Sequence, residues 1–252
     1  MKKCWLPVLT GLFVLSMNVR AQFADAVISY DAGTGFAAGF TNTAAALGAP
    51  TSGTSVTPFA PPFAKTQLVS IGAGGEITLQ MSSPIVNDPT DPYGIDFNLF
   101  ANEFFVNSSS GVNGLFYHTA SILVQVSADD LNWFTLNPAL APQAGELFPT
   151  DGTGNPQIPV NPSLTLNDFT GQNLAGIRSL YAGSAGGTGY DLAWALDANS
   201  NSVDVASADY IRIEVQSGVL DLDAISAVPE PTTWALTLAG ATLLGFYRRL
   251  KN

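Results

Sequence analysis

Two carboxylates suffice to hydrolyse a glycosidic bond, one as acid and one as base or nucleophile. The chain offers two such pairings, Asp96 with Glu103 and Asp221 with Asp223. Asp96 and Glu103 lie an odd number of positions apart, so a regular strand turns them to opposite faces. Asp221 and Asp223 share a face, a spacing better suited to a cation or water than to acid–base work. His118 is the only histidine, so a Ser-His-Asp triad or a histidine zinc site would have to use it. It stands in LFYHTASI with no G-x-S-x-G or H-E-x-x-H motif beside it, and reads as a structural or exposed residue. Gly183-Ser184-Ala185-Gly186-Gly187 lacks the P-loop lysine and reads as a flexible loop. Asn107-Ser108-Ser109 matches a glycosylation sequon and carries no further signal. No catalytic residue is assigned, and no enzyme activity is expected.

Sugar sites use exposed rings. Tyr93, Phe116, Tyr117, Trp133, Phe134 and Tyr181 fall in or beside loops, whereas Trp194 alternates inward and reads as core. None is singled out as a ligand contact, so the ligand-binding residues stay unknown.

These groups are positioned by short alternating runs. Ile77, Leu79 and Met81 alternate with polar residues, as do Ile122, Val124 and Val126, and Ile211, Ile213 and Val215. Tyr190, Leu192, Trp194 and Leu196 predict another strand. Period two with one apolar face predicts half-buried strands. Gly and Pro punctuate the connections, as in NDPTDPYG and PTDGTGNPQIPVNP. Residues 50–64 and 137–162 read as long loops, and Ala44 to Leu47 as one helical turn. The pattern predicts an all-β sandwich over residues 22–227.

Both ends differ from this body. Lys2 and Lys3 precede an apolar run from Trp5 to Met17, and Val19-Arg20-Ala21 offers a cleavage site before Gln22. Residues 1–21 therefore read as a secretory signal peptide, with export through the Sec machinery. Cys4, the only cysteine, is removed with it, so no disulfide or thiolate ligand is expected in the mature chain. At the other end, Val228-Pro229-Glu230-Pro231 precedes an uncharged run from Trp234 to Tyr247 and the basic Arg248, Arg249 and Lys251. As a helix that run is roughly 21 Å long, against a bilayer core of about 30 Å. It predicts a short, marginal transmembrane helix with a cytoplasmic C-terminus. Only Lys65, Arg178 and Arg212 remain in 22–230 against all twenty acids, a net of −17. Such a field repels nucleic acid and anionic lipid.

The C-terminal arrangement of VPEP, short apolar helix and Arg248-Arg249 resembles the PEP-CTERM sorting signal of Gram-negative bacteria. That resemblance implies residues 228–252 as sorting signal and an exosortase-type protease as partner. It also implies a transient inner-membrane anchor, followed by a place at the outer surface or in the extracellular polysaccharide matrix. The body segments LVSIGAGGEITLQM, IDFNLFANEFF, SILVQVSADDLNWFTL, GGTGYDLAW and ADYIRIEVQSGVLDLDAI occur in this order. They are similar to bacterial cell-surface proteins with a galactose-binding-like jelly roll. Asp130 stands where such a turn often has Gly, which predicts a looser turn there. The resemblance makes a structural calcium ion an expectation: Asp88, Asp91 and Asp96 cluster in one turn-rich stretch, and Asp221 and Asp223, which share a face, are the preferred ligands. Three functions follow as expectations: a non-catalytic binder of extracellular glycan or protein, a structural matrix component without a small ligand, and a secreted carboxylate-dependent hydrolase.

Overall fold

The structure, a computed structural model, describes residues 22–116, 120–143 and 148–229. The signal peptide, Tyr117, His118, Glu230, Pro231, the apolar run and Arg248-Arg249 lie outside the described residues. Among the described residues no helix is long and apolar enough to cross a membrane.

Among the described residues twelve strands build the body. They are β1 (Ala24–Asp31), β2 (Val69–Gly72), β3 (Glu76–Val86), β4 (Phe97–Ala101), β5 (Phe104–Ser108) and β6 (Gly111–Phe116). β7 (Ser121–Ser127), β8 (Phe134–Leu136), β9 (Thr188–Tyr190), β10 (Ala195–Leu196), β11 (Ser207–Ser217) and β12 (Val219–Ala227) follow. One antiparallel sheet has the order β1-β3-β11-β7-β8-β10, and the facing one β2-β12-β4-β9. β5 and β6 form a separate hairpin.

The alternating residues explain the sandwich. Ile77, Leu79, Ile122, Val124, Val126, Ile211 and Ile213 of the first sheet are buried against Val69, Ile71, Phe97, Leu99, Leu220, Leu222 and Ile225 of the second. The opposite face of the first sheet carries Glu76, Thr78, Gln125, Arg212 and Glu214. There Arg212 Nε donates to Thr78 Oγ1 at 3.1 Å, and its guanidinium lies 3.9 Å over the Trp133 ring. Gly218, at φ 78°, lets the chain pass from β11 in one sheet to β12 in the other within one residue.

The second sheet is buried on both faces. Its outer face carries Ser70, Asn98, Asp221, Asp223 and Ser226, all buried. Loops seal it: Ser70 Oγ accepts from Ala37 N–H at 2.9 Å, and Asn98 Nδ2 donates to the Pro156 carbonyl at 3.1 Å. Beyond lies a second apolar cluster. Phe105 and Val112 of the β5–β6 hairpin pack there with Val160 and with Phe169, Ile177 and Tyr181. The last three belong to two helices, α1 (Leu166–Phe169) and α2 (Leu174–Tyr181).

Four local expectations change. The run from Tyr190 to Leu196 is broken by a 3-10 turn at Leu192–Trp194, because Asp191 caps it with a 2.7 Å bond from Ala193 N–H. Trp194 is consequently half-buried at the rim, edge-on to Tyr190. The glycine segment is not a loose loop: Gly187 N–H donates to the Phe148 carbonyl, and Ser184 to Gly187 are buried. The turn at Asp130 is tight rather than loose. Asp129 Oδ1 accepts from Leu131 N–H at 3.0 Å and Asn132 N–H at 2.8 Å.

Candidate functional site: an aromatic groove and a buried acidic corner

The turn after β3 gathers carboxylates. Asp96 Oδ1 accepts from Asp88 N–H at 3.1 Å, and Asp96 Oδ2 from Leu192 N–H at 2.7 Å. Asp91 is 4% exposed, yet neither of its oxygens has a hydrogen-bond partner. Burial first, then Asp88, pushes Asp91 up to about 7. Burial also pushes Asp96 up to about 7, against the pull of its two backbone donors and with Asp191 and Asp91 adding repulsion. Burial raises Asp191 too, although Ala193 N–H and Asp96 draw it down.

The basic side chains among the described residues have other neighbours. Arg178 pairs with Asp151 at 2.6 Å, Arg212 covers Trp133, and Lys65 lies beside Gly39. The backbone within the corner is strained as well. Tyr93 holds φ 64°, and its ring is 57% exposed.

The expected carboxylate pairs are separated. Asp96 precedes β4 and Glu103 follows it, so a whole strand lies between them. Asp221 neighbours Glu103 instead: it raises the Glu103 carboxyl, which burial already holds well above its ordinary range. A register shift in β12 between Leu222 and Ala224 sends Asp223 to a different partner. Thr51 donates to both its oxygens, N–H to Oδ2 and Oγ1 to Oδ1, each at 2.9 Å. Burial still pushes Asp223 up to about 7. Among the described residues no group of three or more His, Cys, Asp or Glu could hold a metal ion. This arrangement does not fit calcium at Asp221 and Asp223, and nothing below depends on one.

The rings are more dispersed than their loop positions suggest. Tyr181 is buried and donates its hydroxyl to the Pro149 carbonyl at 2.7 Å. Trp133 is covered by Arg212, and Phe116 stacks on Phe104 with centroids 4.7 Å apart. A groove of about 630 Å³ opens instead between the hairpin, the helices and β9. Phe105, Phe148, Phe169 and Trp194 line it, with Thr165 and Thr188 as hydroxyl groups, and no acidic side chain among the described residues reaches it. Its helical wall escaped the sequence reading, although Asn173 caps α2 and Ile177 and Tyr181 stand four apart, on one helical face.

The two ends of the body meet. Phe23 bridges Ser226, Ala227 N–H donates to the Gln22 carbonyl at 2.9 Å, and Val228 N–H donates to the Asp96 carbonyl at 2.8 Å. Val228 is buried, and Pro229 is the last described residue. No curated protein matches the chain. A model of the PEP-CTERM protein-sorting motif matches residues 227–251. That match starts on the last residue of β12, so the chain carries a PEP-CTERM sorting signal joined to its sandwich without a spacer.

Proposed function

We propose that this chain is a non-catalytic binding protein of the outer surface or extracellular matrix of a Gram-negative bacterium. It takes extracellular glycan or protein in the aromatic groove. Export and sorting by an exosortase rest on the PEP-CTERM signal. Binding rests on the groove, which joins aromatic walls to two hydroxyls, with no carboxylate lining it among the described residues. The carboxylates that could work as a pair are buried elsewhere, which supports a non-enzymatic reading.

A glycan array and immobilised matrix polysaccharide, probed with residues 22–229, test the binding. Trp194→Ala removes a ring at the groove rim and is expected to weaken binding about tenfold or more. Binding that is unchanged in this variant would move the site away from the groove. A body that takes no glycan and no matrix protein would instead support a structural matrix component.

Sorting has its own test. Full-length protein is expected in the inner membrane and a shorter species at the surface. Intact-mass measurement of the surface species decides it, since a form retaining Trp234 to Asn252 would refute proteolytic sorting.

A further inference from the structure

The walls of the groove limit what it can hold. Besides its four rings they present Leu115, Leu140, Leu164 and Leu166, with Pro142 and Pro162. The polar groups among them already work inside the protein. Thr165 Oγ1 donates to Asp168 Oδ2 at 2.9 Å, Thr188 Oγ1 accepts from Phe148 N–H at 3.0 Å, and the Pro142 carbonyl accepts from the Tyr190 hydroxyl at 3.0 Å. A saccharide turns many hydroxyls toward its site, and each one buried without a partner weakens binding. A sugar ring can stack on Trp194, but the leucines and prolines around it offer its hydroxyls nothing to bond. An apolar side chain gives up no hydrogen bond on entering, and each methylene it buries strengthens binding.

The rim points the same way. Leu140 is 57% exposed and Leu166 42%, so the apolar surface continues from the interior of the groove to its mouth. An exposed apolar mouth around an aromatic cleft is a surface for a protein partner. Charge narrows the partner further. Asp168 stands two residues after Leu166 and accepts from the Thr165 amide at 2.8 Å as well as from its hydroxyl. Those two bonds, the amide first, hold its exposed carboxylate below the ordinary range, so it is ionised at neutral pH. Over residues 22–230 the chain sets three basic residues against twenty acidic ones. Such a field draws in a cationic chain and repels an anionic one.

We propose that the groove takes an apolar segment of a cationic protein partner, with leucine, phenylalanine or proline side chains inside and lysine or arginine beside the mouth at Asp168. The proposal rests on the groove being the binding site, and it narrows the ligand there from glycan or protein to protein.

Fluorescence anisotropy with the exported chain, residues 22–252, in nanodiscs of zwitterionic lipid reads this, with empty nanodiscs as the blank. The labelled probes are the peptide KKPLFPLFKK, its acid-flanked counterpart EEPLFPLFEE, the polar-core peptide KKSTNSSTKK and a neutral β-glucan hexasaccharide. The first peptide is expected to bind about tenfold or more tightly than each of the others at low salt, and its lead over the acid-flanked peptide to shrink as salt rises to about 0.5 M. Leu140→Gln with Leu166→Gln puts amides on two exposed rim positions and is expected to weaken the first peptide about tenfold. Leu131→Gln changes a leucine that is 82% exposed in the turn between β7 and β8, outside the groove, and is expected to leave binding unchanged. Absence of binding by the first peptide at millimolar concentration overturns the proposal. So does binding that the polar-core peptide matches, or that survives the double rim variant. If the hexasaccharide binds instead and the rim variant abolishes that, the partner is wrong while the groove remains the binding site. If no probe responds to the rim variant or to Trp194→Ala, the groove itself is not the site, and both readings fall.

Discussion

Asp130 shows how one residue is held by its neighbours. It sits at φ 59°, a left-handed conformation that glycine adopts freely and other residues only at a cost. Its place is imposed by Asp129, whose carboxylate takes the amides of Leu131 and Asn132 and the Asn132 side chain. Those bonds hold Asp129 at about 2, the Asn132 amide contributing most. Asp130→Gly is therefore expected to stabilise the body by up to about 1 kcal/mol, read as a raised urea midpoint at unchanged slope. A lower midpoint would mean that the Asp130 side chain contributes something beyond its backbone. The sequence marks this as a turn, but its tightness comes from side-chain-to-backbone bonds that residue types alone do not fix. The same limit applies to the candidate site. Asp96 and Leu192 are far apart in the chain, so nothing in their spacing announces the bond between them. The turn-rich stretch around Asp88, Asp91 and Asp96 was visible, but not its burial.

At the scale of elements, legibility follows burial of a single face. β3, β7 and β11 each bury alternate residues against the core, so their period of two survives in the sequence. β4 and β12 are buried on both faces, and there polar residues such as Asn98 and Asp223 stand under loops rather than in water. That is why the sequence pattern, which shows Asp221 and Asp223 on one face, does not show their burial. The glycine segment before β9 was read as flexible because glycine runs usually are. Here it is a tight packing element. Gly187 holds φ 74°, and a Cβ added there would come within 2.8 Å of the Phe100 ring. Gly187→Ala combines that overlap with a left-handed backbone, and is expected to destabilise the body by roughly 1–3 kcal/mol. Phe100→Leu should recover part of the loss by vacating the overlap, and thermal melts of the single and double variants check this. If Gly187→Ala melts like wild type, the segment yields more easily than its burial implies.

The molecule as a whole is an acidic body with several carboxyls kept from water, and its stability must answer to pH. Asp91, Asp96 and Asp223 are pushed up to about 7 by burial, and Glu103 and Asp191 are raised for the same first reason. The folded state therefore binds protons that the unfolded chain has released above about pH 4, so these groups stabilise the fold at low pH. Their contribution is lost as pH rises toward about 7, at up to about 1.4 kcal/mol per unit for each proton. Other acids act oppositely. Asp129, Asp168 and Asp197 are held low by backbone amides, and Asp151 by Arg178 and Thr153 against the opposing effect of burial. Their contribution is present above about pH 4 and is lost only below it. The two sets together predict a stability maximum between about pH 4 and 5, on the acid side of the usual range. Urea denaturation of residues 22–229 from pH 3.5 to 8.5 reads this directly, with and without reductant, which should make no difference in a chain free of cysteine after Cys4. Asp223→Asn can keep both Thr51 contacts, its oxygen accepting the N–H and its amide donating to Oγ1, while removing one titrating proton. Its midpoint should equal wild type near pH 7.5 or exceed it, and the slope between pH 5 and 7 should fall. Stability that climbs steadily from pH 5 to 8 would show that these carboxyls ionise inside the fold without cost, and the buried acidic layer would then need another explanation.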